Sequence, residues 1–153
     1  MEFKIPKPLK LEHKELHEEL VRATKSGGKT AEAAKAVAGL LHPHFVKEEE
    51  YALPPLGILS AVAHGKIKPG MEQVVAMTEK LKAELPQMLE EHKAVVAALK
   101  KLIAAAKKEK KPQFAKFAEK LMLHAKAEEE FFYPASILVG ELLRLKSRTE
   151  KVN

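Results

Sequence analysis

Apolar positions recur along this chain every three to four residues, and no stretch shows the two-residue alternation of a strand. Leu9, Leu16 and Leu20 share one face of a helix expected from Pro8 to about Lys25, which Gly27-Gly28 ends. Thr30 reads as the N-cap of the next helix, whose AEAAKAVAGLL run favours helix strongly. That helix should bend at Pro43 without stopping, kink or break at Pro54-Pro55, and close at His64-Gly65. A third helix is expected from about Met71 to Lys108, bent or restarted near Pro86. Its wide buried face carries Leu85, Met88, Leu89, Val95, Val96, Leu99 and Leu102. A fourth runs from Pro112 to about Arg148 with a kink at Pro134. Four long amphipathic helices joined by short turns predict an all-α, up-down-up-down four-helix bundle. Residues 1–153 suit one such domain, with a first hairpin over about 8–64 and a second over about 71–148.

An internal repeat turns this bundle into a chemical problem. Residues 44–54 read HFVKEEEYALP and residues 124–134 read HAKAEEEFFYP, 80 positions apart. Glu12-His13-Lys14 matches Glu91-His92-Lys93 at an offset of 79. The chain therefore reads as two copies of a helical hairpin, each with one histidine followed by one His-x-x-x-Glu. Counting from the turns at roughly 1.5 Å per residue, antiparallel packing brings His13, His44, His92 and His124 to within about two helical turns of one level. The i, i+4 spacing places Glu48 on the face of His44 and Glu128 on the face of His124.

Four imidazoles and two carboxylates would thus project into one interior. A single histidine on an apolar face is ordinarily a satisfied core residue, but a duplicated set at matched depth is not. Buried carboxylates without partners cost several kcal/mol. No arginine stands near these faces, so a pair of bound cations is the natural compensation. Imidazole and carboxylate donors suit Fe, Zn or Mn. Glu49, Glu50, Glu129 and Glu130 read as solvated or supporting groups, His64 as a helix C-terminal residue, and His42 as a surface residue.

Composition narrows the chemistry further. There is no cysteine, which excludes disulfides, thiolate metal sites and Cys nucleophiles. The net charge is +6, but only 3 of the 27 basic residues are arginine, and KKEKK at Lys107–Lys111 falls at a turn. A nucleic-acid partner is therefore not expected. No apolar run reaches bilayer-spanning length and no signal-like segment opens the chain, so neither a membrane nor export is expected and the cytoplasm is the default. No His stands in a Glu-x-x-His or HExxH pattern, which argues against ferritin-like and zincin chemistry.

The order His13, His44-x-x-x-Glu48, His92, His124-x-x-x-Glu128 resembles the hemerythrin-like, or HHE cation-binding, family over about residues 9 to 140. The resemblance implies a carboxylate-bridged non-haem di-iron centre, with a bridging oxo or hydroxo group, although Zn or Mn could fill it. It implies binding or sensing of O2 or NO. The alternatives are a di-iron enzyme acting on peroxide or NO, or an iron donor in iron–sulfur cluster repair; a structural or zinc-filled bundle is a further alternative. The partner is then a small diatomic ligand or peroxide, with a separate redox or signalling protein. His17, one turn after His13 where the second copy has Val96, is a candidate fifth imidazole; it would reduce two open coordination positions to one. Tyr51, opposite Phe131 in the repeat, is a candidate hydrogen-bond donor to a ligand carboxylate. Phe45, Phe131 and Phe132 are expected to wall the site from water.

Overall fold

The structure is a computed structural model that describes residues 1–152, with side chains described through residue 150. Helix α1 spans Lys7–Thr24 and α2 spans Gly28–Lys47. A single π-helical turn, Glu48–Ala52, and a 3-10 turn, Pro54–Ile58, lead into the short α3, Leu59–Ala63. After a 3-10 turn at Met71–Gln73, α4 runs over Val74–Lys108. Then come α5 at Pro112–Ala127, a second π turn at Glu128–Phe132, and α6 at Tyr133–Val152. Helix α1 packs on α2 and α5, and α4 packs on α2 and α5, which closes the expected up-down-up-down ring.

Three expectations about helix ends change. Thr30 is not an N-cap: α2 begins at Gly28, where φ is +64°, and Thr30 lies in its first turn. Glu109, from the end of α4, does the capping. It accepts hydrogen bonds from the Lys29 and Thr30 N–H groups at 3.1 and 2.8 Å and from the Thr30 hydroxyl at 2.6 Å. A carboxylate there also faces the positive end of the helix dipole. Lys111 Nζ stitches the same end by donating to the Ser26 and Gly27 carbonyls. Helix α4 does not restart at Pro86; the proline sits on the exposed face, where the carbonyl it leaves unpaired reaches water.

The third change concerns Pro54 and Pro134. In both repeats the helix departs from α geometry six residues before the proline, at Glu48 and Glu128. A proline donates no N–H, and its ring would crowd the carbonyl four residues back, here Glu50 and Glu130. Opening one turn to i→i+5 bonding relieves that crowding. The Leu53 N–H accordingly donates to the Glu48 carbonyl at 2.9 Å. The Ser136 hydroxyl donates to the Ala52 carbonyl at 2.6 Å and so ties the first distorted turn to α6.

Two apolar blocks occupy the bundle on either side of the histidine level. One is built from Leu16, Leu20, Val37, Leu41, Val95, Leu99, Leu102, Phe117 and Leu121. The other holds Leu9, Tyr51, Leu53, Leu81, Met88 and Tyr133, continued by Val62, Val74, Val139 and Leu143. Helices α4 and α6 approach so closely that a Cβ on Gly140 would collide with the Thr78 side chain.

Thr30 and Lys29 hold the Glu109 carboxyl at about 2, below the usual carboxylate range. Its contribution to stability is therefore complete above the ordinary carboxylate pKa and is lost as pH falls toward 2. Glu109→Gln should lower the melting temperature at pH 7, and the gap from the parent should close as thermal melts are taken down to pH 2.

Candidate metal centre

Between the two apolar blocks, the six repeat residues meet. His13 comes from α1, His44 from α2, His92 from α4 and His124 from α5, while Glu48 and Glu128 open the two π turns. All six are buried, Glu48 to 0% and Glu128 to 1% exposure. The imidazoles form two pairs. The His44 and His92 ring centroids lie 4.6 Å apart, and those of His13 and His124 lie 4.9 Å apart.

Each carboxylate divides its two oxygens between the pairs. Glu48 Oε1 is 3.1 Å from His44 Nε2, and its Oε2 is 3.8 Å from His13 Nε2. Glu128 Oε1 is 3.5 Å from His92 Nε2, and its Oε2 is 3.4 and 3.5 Å from the Nε2 atoms of His124 and His13. Among the described residues, the donor sets that close on a single point are His44, Glu48, His92 and Glu128, and separately His13, His124 and Glu128.

The outward nitrogens of three rings are held by carboxylates. His44 Nδ1 donates to Glu91 at 2.8 Å, His92 Nδ1 to Glu129 at 2.9 Å, and His124 Nδ1 to Glu12 at 2.7 Å. These bonds fix the proton on Nδ1 and turn the Nε2 lone pair inward. The repeat supplies them crosswise, since the Glu before His13 serves His124 and the Glu before His92 serves His44. His13 departs from the pattern. Phe45 stacks on its ring at 4.6 Å where the second repeat has the small Ala125, and the matching Glu49 stays exposed.

With Nε2 unprotonated on these three rings, their inward nitrogens and the carboxylate oxygens face one another with no hydrogen between them, while His13 Nε2 lies 3.0 Å from His124 Nε2, within hydrogen-bond distance. Both oxygens of Glu48 and Oε2 of Glu128 are buried without a hydrogen-bond partner. Buried polar atoms are rarely left so. The donor set therefore fits cations, which would supply the missing positive charge.

Burial, opposed by contacts with Glu48 and Glu91, leaves the His44 pKa raised. Burial together with the neighbouring His44 lowers that of His92, and burial with His13 lowers that of His124. Burial opposes ionisation of Glu91, yet Lys47, His44 and Gln87 hold its carboxyl at about 2.

Other residues fall outside this arrangement. His17 is exposed and does not join the cluster, because one turn along α1 from His13 it faces the rim. With His42, Lys7, Lys10, Lys14 and Glu49 it lines a cleft of about 560 Å³ that reaches His13. Tyr51 is buried, but its hydroxyl points to Met88 Sδ at 3.9 Å rather than to a carboxylate. Phe45 and Phe132 do border the imidazoles, whereas Phe131 is 64% exposed and walls nothing. His64 lies at the end of α3, its Nδ1 donating to the Ser60 carbonyl.

Tyr133 is the site residue that pattern reasoning passes over. Its hydroxyl lies 3.2 Å from His44 Nε2 and 3.2 Å from His92 Nε2. Burial, then the Glu48 charge, pushes its phenol far above the ordinary value.

The family model of the hemerythrin HHE cation-binding domain matches residues 5–136. The chain belongs to this family. In this HHE domain the buried His/Glu cluster is the feature that fits a metal cation. Comparison with curated proteins and with solved structures returns no match. Among the described residues, no helix is long and apolar enough to cross a membrane.

Two consequences can be measured. Glu48→Gln should abolish normal metal uptake, yet leave the metal-free protein at least as stable as its parent in denaturant melts, because a partnerless buried charge is removed. Glu91→Ala or Glu12→Ala should keep the fold and weaken metal affinity about 10–100-fold, as titration with a metal indicator would report.

Proposed function

We propose that this HHE domain is a non-haem di-iron protein that binds or senses O2 or NO. The observation that carries the reading is the division of Glu48 and Glu128 between two imidazole pairs: one oxygen of each faces His44 and His92, and the other faces His13 or His124. That division would let the two carboxylates hold a pair of ions between them. Imidazole with carboxylate suits iron, and no thiolate is available to favour a softer metal. When bound, the metal pair supplies redox-active centres with positions open to a small ligand.

The chain's own part is positioning and exclusion. Glu91, Glu129 and Glu12 hold three rings in place, and Phe45 with the apolar blocks keeps bulk water from the carboxylates. Clefts of about 560 and 760 Å³ reach His13 and His92, so each imidazole pair is approached from its own flank.

Protein purified with iron available should contain about two irons per chain, and one zinc without iron would remove the reading. The reduced, iron-loaded protein should show an absorption change with O2 or NO that reverses when the gas is withdrawn. Irreversible oxidation with steady peroxide consumption would instead place the chain among the enzymes.

A further inference from the structure

Tyr133 differs from every other buried hydroxyl in the bundle because its two polar neighbours are both inward-facing imidazole nitrogens. The Nδ1 protons of His44 and His92 are committed to Glu91 and Glu129, so each Nε2 offers a lone pair. One phenolic proton can satisfy only one of the two nitrogens 3.2 Å away. The arrangement is better explained by donor spacing. Two atoms each about 2.1 Å from one ion, at an angle between a right angle and the tetrahedral value, lie roughly 3.0–3.4 Å apart. Tyr133 Oη to either nitrogen fits that span, as does His44 Nε2 to Glu48 Oε1 at 3.1 Å.

The π turn explains how the tyrosine reaches the site. In α geometry residue 133 would lie roughly 140° around the helix from Glu128. With i→i+5 bonding it returns beneath Glu128 and shares its inward face. The first repeat makes the same turn, but Leu53 stands in the corresponding place, fully buried and without a donor atom.

We infer that the Tyr133 phenolate oxygen is a seventh protein ligand, bound to the ion held by His44 and His92. This rests on the di-metal reading above. On binding, the phenol O–H bond breaks, the proton passes to solvent, and the oxygen lone pair goes to the ion. The His44/His92 ion then has five side-chain donors with Glu48 and Glu128, and the His13/His124 ion has four. The His13/His124 ion would then keep more positions open to a small ligand, although clefts reach both pairs, one at His13 and one at His92.

The test uses the full chain loaded anaerobically with two equivalents of ferrous iron, oxidised with ferricyanide, and followed by iron analysis, visible absorption and resonance Raman. A tyrosinate-to-iron charge-transfer band with enhanced phenolate ring vibrations is expected. Tyr133→Phe should retain two irons and lose both signals. The chain has only 2 tyrosines, so Tyr51→Phe, which should retain both signals, assigns the band even if the first variant fails to fold. Two irons with no phenolate signal, or a signal lost only in Tyr51→Phe, would overturn the inference and leave the di-iron reading standing. Fewer than two irons in the unaltered chain would overturn both.

Discussion

Glu48 and Glu128 place two carboxyl groups in the middle of a helical bundle, and three of their four oxygens have no hydrogen-bond partner. A carboxylate in such a place ordinarily protonates, pairs with a basic side chain, or is selected against. Here the nearest groups are four imidazoles, three of them arranged to present lone pairs rather than protons. The outer carboxylates Glu91, Glu129 and Glu12 deepen the deficit of positive charge. Such a layer fits bound cations, and the helix lengths, crossing partners and turn positions all serve to bring it to one level.

The pseudo-symmetry of the two hairpins is what assembles it, and the departures from symmetry give the two halves different characters. Both repeats open a π turn at the buried carboxylate, because both carry a proline six residues later. Four substitutions between the copies then matter. Phe45 replaces Ala125 and stacks on the His13 ring, and Leu53 replaces Tyr133, so the first repeat supplies no phenol. His17 and His42 stand where the second copy has Val96 and Met122. They line the cleft on one flank together with Leu11, Phe45 and Val46, while the matching flank beside His92 is lined by Val96, Met122 and Leu123 with several charged residues.

The bundle and the convergence of the six residues were legible in the sequence because both depend on spacing. A 3.6-residue period and a matched repeat offset are preserved whatever the local helix does. The departures arose where a straight helical wheel fails. Tyr133 sits off the face of Glu128 on any regular wheel, and only the widened turn brings it inward. The proline six residues after each buried Glu was visible, but it reads as a kink at its own position rather than as a wider turn before it. His17 failed for a related reason: an i+4 neighbour shares a face, yet the inward sector at that depth is narrow and α1 presents it only once. Glu109 as the cap of α2 was invisible because a tertiary partner took over a task usually done by a local residue.

The polar layer also divides the hydrophobic core, since the apolar block around Leu99 and the one around Leu53 meet only across it. An ion-free chain thus consists of two greasy compartments separated by a seam of mutually repelling groups. Amide protons near His44 and His124 are therefore expected to exchange by sub-global opening of that layer. A cation bound there would act as a rivet between the two compartments.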